Sequence, residues 1–202
     1  MYDFVKDFQT LIAALVALAA AVIAYTSAQR VAKRQIAVNK EAEFKRELSL
    51  TAALMEWSNT LDLIAAERYL ECKIIVDTAT VWKAATVKLD DSPGSLPRIR
   101  DAKLLTNELS LSTINWQDVA IVSIDAQSIY HRIVFCIQVS DRELLDTQKS
   151  FTLNNSVTVS QIQRLQDCYT RVSEEAKKGY DGFERILKTY SPRYREMMKR
   201  ET

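Results

Sequence analysis

Helix breakers are what this chain has least of. Glycine occurs only at 94, 179 and 182 and proline only at 93, 97 and 192, so residues 1–92 and 98–178 contain neither. These residues cost a helix interior about 1 and about 3 kcal/mol relative to alanine. Their scarcity predicts an all-α protein. It also leaves no material for a glycine-rich phosphate loop. Histidine occurs once, at His131. A Ser–His or Cys–His catalytic pair and the common zinc sites all lean on that residue type. We expect it to be a satisfied, half-buried side chain. Cys72, Cys136 and Cys168 are odd in number and widely spaced, which argues against a disulfide framework. They read as small core hydrophobes in a reducing compartment. The 27 basic and 26 acidic residues give no electrostatic footprint for nucleic acid. No cofactor, metal or small-molecule substrate is implied.

What the chain does have is a long uncharged run at residues 8–29, FQTLIAALVALAAAVIAYTSAQ. As a helix it rises about 33 Å, enough for a hydrocarbon core of about 30 Å. We expect a retained transmembrane helix. Two rival readings exist. A secretory signal cleaved near Thr26-Ser27-Ala28 lacks the basic start such signals carry, because Asp3 and Asp7 outweigh Lys6. The other rival is a buried, alanine-rich helix of a protein without a span. Flanking charge sets the expected orientation. Arg30, Lys33, Arg34, Lys40, Lys45 and Arg46 follow the run, which places residues 30–202 on the cytoplasmic side of a bacterial-type inner membrane. Arg30, Lys33 and Arg34 are the candidate contacts with lipid headgroups. Ala13, Ala17 and Ala21 form a small-residue row suited to close helix packing in lipid.

Beyond the run, apolar spacings of three, four and seven predict an antiparallel bundle of three to four helices. Residues 30–46 read as a charged helical stalk. From Leu48 a stripe runs through Leu61, Ala65, Cys72, Ile75 and Ala79 to Trp82. Residues 90–95, Asp-Asp-Ser-Pro-Gly-Ser, read as a turn in which Ser95 caps a short helix over 97–110. An extended connector follows at 109–114. Residues 115–148 carry Val119, Val122, Ala126, Ile133 and Leu144 on one face and Ile124 and Phe135 on others, so this helix is expected to be the most buried, with Thr113 or Asn115 as its cap. Residues 151–157 read as a connector. Thr158 or Ser160 opens a last, heptad-like helix that Pro192 ends, followed by a basic tail. Gly179 and Gly182 fall inside that helix, where they suit close packing on a neighbour. The many carboxylates, among them Asp62, Glu67, Glu71 and Asp141, read as solvated helix faces rather than a di-metal site, which would want Glu-x-x-His pairs.

The expected organisation is a short extracytoplasmic start (1–7), the span (8–29), the stalk (30–46), the bundle (47–191) and the tail (192–202). The expected function is non-enzymatic: a membrane-anchored tether or scaffold that touches lipid and acts on a protein partner or on further copies of itself. A membrane-perturbing or gating effector of a toxin- or phage-related kind, assembling through its span, and an enzyme of unrecognised type using the bundle carboxylates, are the alternatives the sequence leaves open.

Overall fold

The computed structural model describes residues 2–88, 94–109, 119 and 122–199, excluding the side chains of 2–15, 109, 191 and 193–199. It is all-helical apart from one small ribbon. We number five helices and two strands among the described residues: α1 (Tyr2–Val81), β1 (Thr86–Lys88), α2 (Ser95–Arg100), α3 (Leu105–Leu109), α4 (Ile124–Asn154), β2 (Ser156–Thr158) and α5 (Val159–Lys199). The chain divides into two compact units, Met1–Arg46 and Glu47–Thr202.

In the first unit, residues 16–40 of α1 are exposed all round, including Val16, Leu18, Val22, Ile23 and Tyr25. Among the described residues no helix is long and apolar enough to cross a membrane. Described side chains begin at Val16, so residues 8–15 of the uncharged run lie outside them.

The second unit is a bundle of α4, α5 and the later part of α1. As α4 numbers fall from Glu143 to Arg132, their ion-pair partners on α5 rise from Arg164 to Glu175, so these helices are antiparallel. Arg68 meets Tyr169 while Asp62 meets Ser173, so α1 also runs antiparallel to α5 and hence parallel to α4. The chain must therefore travel back between the end of α1 and the start of α4, and α2 and α3 lie on that return. The core is continuous, from Leu54, Leu61 and Ala65 on α1 through Ile133, Ile137 and Leu144 on α4 to Leu165, Val172 and Phe183 on α5.

Helix α1 stops at a Schellman motif. Lys83 takes the left-handed conformation at φ 52°. The Ala84 N–H donates to the Ala79 carbonyl at 2.9 Å and the Lys83 N–H to that of Thr80 at 3.2 Å. The chain then pairs Thr86, Val87 and Lys88 antiparallel with Thr158, Val157 and Ser156. This ribbon, whose two valines are buried, ties the end of α1 to the α4–α5 turn. The sequence pattern gave no strand here, since three-residue strands are too short to show alternation.

Several expected boundaries move. Residues 97–110 are not one helix but α2 and α3 with a break at 101–104. Ser95 is not a cap: it is the first helical residue, Gly94 holds the N-cap position, and no side chain caps α2. The turn at 90–93, the connector at 110–114, the caps Thr113 and Asn115, and Trp116 lie outside the described residues. Helix α4 starts at Ile124 with Ser123 as N-cap, its hydroxyl accepting from the Ala126 N–H at 3.0 Å. It then runs through part of the expected connector, with Phe151 buried, until Asn155 ends it in the left-handed region. It is not buried all round, because Ile124 and Phe135 face outward. Helix α5 opens with a capping box: the Thr158 hydroxyl accepts from the Gln161 N–H at 3.3 Å, and Gln161 Oε1 accepts from the Thr158 N–H at 3.0 Å. Pro192 does not end α5, which continues to Lys199. Proline removes one donor, and at this exposed position water can serve the carbonyl one turn back.

Candidate functional site

The return segment is held by side chains of α4 rather than by apolar burial alone. Asp141 is buried, which corrects the expectation of a solvated acid. Its Oδ1 accepts from the Leu105 N–H at 2.6 Å, and its Oδ2 accepts from the Thr106 N–H at 3.0 Å and the Thr106 hydroxyl at 2.7 Å. It thus caps the start of α3 from a different helix, where free N–H groups and the helix dipole favour an anion. Two turns on, Gln148 Nε2 donates to the Arg100 and Ala102 carbonyls, both at 2.9 Å, closing the end of α2. One α4 face therefore fixes both sides of the break at 101–104.

That placement brings Glu108 of α3 against a buried arginine. Arg68 of α1 donates to Glu108 Oε2 at 2.8 Å and to the Tyr169 hydroxyl at 3.3 Å, with its guanidinium 5.8 Å from the Tyr169 ring centre. Burial works to lower its pKa, but Tyr169 and Glu108 together outweigh burial, and the net shift is upward. Tyr169 is pushed up to about 12, chiefly by burial, with Arg68 pulling the other way. Burial likewise pushes the Cys72 thiol up to about 12. These groups sit as neutral phenol, neutral thiol and paired guanidinium.

Beside Arg68 lies an open groove of about 560 Å³. Its α1 wall carries Ile64, Glu67 and Glu71, and its other wall carries Arg98 and Lys103. Arg98 reaches Glu71 at 3.4 Å, a loose and exposed pair worth little. No family model, curated protein or solved structure matches this chain. The groove's own chemistry is mixed in charge: Glu67, Glu71 and Asp101 line it together with Arg98 and Lys103, and the buried Arg68 at its edge is committed to Glu108 and Tyr169.

The residues singled out from the sequence lie elsewhere. Arg30, Lys33 and Arg34 are exposed on the first unit, as are Ala17 and Ala21, while the Ala13 side chain lies outside the described set. His131 is exposed rather than half-buried, with its ring 6.0 Å edge-on from that of Tyr130. Cys72 is buried, Cys136 and Cys168 are half-buried, and all three thiols are free. Trp57 packs on Tyr130 at 5.4 Å, whereas Trp82 is exposed. Among the described residues no group of three or more His, Cys, Asp or Glu side chains could hold a metal ion. The polar junction escaped sequence reading because Arg68 and Asp141 look like surface residues by type. The available signal was positional: Arg68 lies seven residues from Leu61 and four from Cys72, on the buried face of α1.

Proposed function

We propose that this chain is a single-pass membrane-anchored helical protein that works as a tether or scaffold through protein contacts. The observation that carries the reading is the exposure of Val16, Leu18, Val22, Ile23 and Tyr25 on one helix, with no polar face between them. Large apolar surfaces of that kind call for a covering phase, and the uncharged run at 8–29 has the length for a bilayer. Arg30, Lys33 and Arg34 follow it at the place where cationic side chains reach anionic headgroups. Ala17 and Ala21, exposed on the same stretch, suit helix association in lipid.

Membrane fractionation tests the reading. The chain is expected in the membrane fraction after alkaline carbonate washing and to be released by detergent. Leu18→Arg, near the middle of the run, carries an insertion penalty of about 3 kcal/mol and shifts the chain toward the aqueous fraction. A wild-type chain that stays in the aqueous fraction without detergent overturns the proposal.

A further inference from the structure

Helix α1 carries a second apolar row within the bundle unit, on the side away from the core. Leu63, Leu70, Ile74 and Val81 are 64%, 56%, 54% and 78% exposed. With Glu67 and Asp77 between them, the positions 63, 67, 70, 74, 77 and 81 step by four and three, the spacing of a coiled-coil seam. The opposite face of the same stretch is already used, by Leu61, Ala65, Cys72, Ile75 and Ala79 in the core. Single exposed leucines are ordinary, but Leu63, Leu70, Ile74 and Val81 share one heptad register on one helix and form an apolar strip that Glu67 and Asp77 interrupt.

The two carboxylates decide what covers it. Both are exposed and neither has an ion-pair partner among the described residues. A second copy is a poor occupant. A parallel, in-register pair sets Glu67 against Glu67 and Asp77 against Asp77. The antiparallel register that matches Leu63 with Val81 and Leu70 with Ile74 sets Glu67 against Asp77. Both arrangements bring like charges together inside an apolar seam, which costs binding energy. Lys73 is the cation on one flank of the strip, and Glu71 on the other flank adds a third acid at the edge of the groove. From this we infer that the strip is a docking seam for an amphipathic, basic helix of a partner protein. Such a helix lays leucine-like side chains on Leu63, Leu70, Ile74 and Val81 and sets lysine or arginine opposite Glu67 and Asp77. The inference rests on the tether reading, whose partner class it specifies.

The test uses the full chain in nonionic detergent and two labelled three-heptad peptides. Both have leucine at the seam positions; one carries lysine, the other glutamate, opposite Glu67 and Asp77. In fluorescence anisotropy the lysine peptide is expected to bind about tenfold or more tightly than the glutamate peptide. The variant combining Glu67→Lys with Asp77→Lys reverses that order, and Leu70→Ser with Ile74→Ser abolishes both interactions while leaving the thermal midpoint of the bundle unchanged. Equal binding of both peptides, binding that survives the Leu70→Ser, Ile74→Ser pair, or self-association that the same pair removes overturns the inference. Membrane partitioning of the same variants is measured in parallel. It stays at the wild-type level whichever way the peptides behave, so failure of the seam is distinguished from failure of the anchor.

Discussion

Replacing Gly179 with alanine sets two effects of similar size against each other. In an exposed helix interior the change gains about 1 kcal/mol. Here a Cβ would stand 2.5 Å from Ile133 Cδ1, 3.1 Å from Ser58 Oγ and 3.4 Å from Ile129 Cγ2. Neighbours on both α1 and α4 must then give way, and overpacking of this kind costs about 1–3 kcal/mol. We expect Gly179→Ala to destabilise the bundle by about 1 kcal/mol net, lowering the thermal midpoint by about 2–4 °C. Gly182 is the internal control. Among the described residues a Cβ there meets only Ile129, closest at the Cδ1 methyl at 2.5 Å and next at Cγ1 at 3.5 Å. Ile129 is half-buried where Ile133 is fully buried, so its end can turn aside at a cost close to the gain in helix propensity, and Gly182→Ala should fall near neutral. Urea unfolding of the detergent-solubilised chain, followed by far-UV circular dichroism, measures both. Ile133→Val removes the Cδ1 methyl and should recover part of the Gly179→Ala loss, with a coupling of about 1 kcal/mol in the double-mutant cycle. A Gly179→Ala chain more stable than the parent, or a cycle without coupling, refutes the claim that this glycine exists for close approach.

Asp141→Ala strips the cap from α3 and leaves two N–H groups without their acceptor, at a cost of about 3 kcal/mol, with Asp141→Asn losing less. Amide exchange at Leu105 and Thr106 should accelerate before that of α4 and α5; uniform acceleration would count against a local capping role. Lys83→Gly should stabilise the chain by about 1 kcal/mol, because Lys83 holds φ 52° at the end of α1 and glycine bears no Cβ penalty there; an unchanged urea midpoint would refute it. Alkali should unfold the bundle progressively. Cys72 and Tyr169 are neutral when protonated, and burial holds their pKa values up at about 12 from ordinary values of 9.0 and 10.0. Over that window the unfolded state binds fewer protons than the folded one, so the contribution is complete below the ordinary values and is lost as pH rises toward about 12. Cys72→Ala should move the onset up by about one pH unit, and a urea midpoint flat from about pH 8 to 11 would refute the assignment.

How much of this was visible in the sequence divides along physical lines. The helical character of α4, α5 and the bundle part of α1 was legible because each repeats its apolar spacing over many turns, whereas the continuity of α1 from Tyr2 to Val81 was not, because residues 30–46 carry no wide apolar face to follow. The value of Gly179 and Gly182 was legible because glycine inside a strong heptad pattern wants a packing reason. Asn155 lay in the expected connector, and its left-handed conformation shows where α4 stops; the apolar pattern alone gave no reason to carry the helix past residue 148. Pro192 is a stop signal by residue type, but it costs one hydrogen bond, and the rest of α5 is held by its own ladder and by Phe183 and Ile186 against the core. Ile124 and Phe135 depart in the other direction: apolar side chains on a second face of α4 predict burial, and they are surface.

The return segment could not be read from pattern at all, and the reason bears on how the fold is specified. Helices α2 and α3 have six and five residues, too few to bury a full face or to persist alone. Apolar contact through Leu96, Ile99 and Leu105 draws them onto the bundle but does not distinguish one position along α4 from another a turn away. Directional bonds supply that choice. Asp141 accepts only where α3 begins, Gln148 donates only where α2 ends, and Arg68 needs Glu108 at a single place on α3. Slipping the segment by one turn would leave a buried guanidinium and a buried carboxylate unpaired, a penalty of several kcal/mol each. Net stability from these bonds is modest, because desolvation offsets much of it, so their main effect is on register. The same register sets Arg98 and Lys103 across the groove from Glu67 and Glu71. Groove and seam meet at Glu67, so a partner helix lying along α1 would present one edge to that wall.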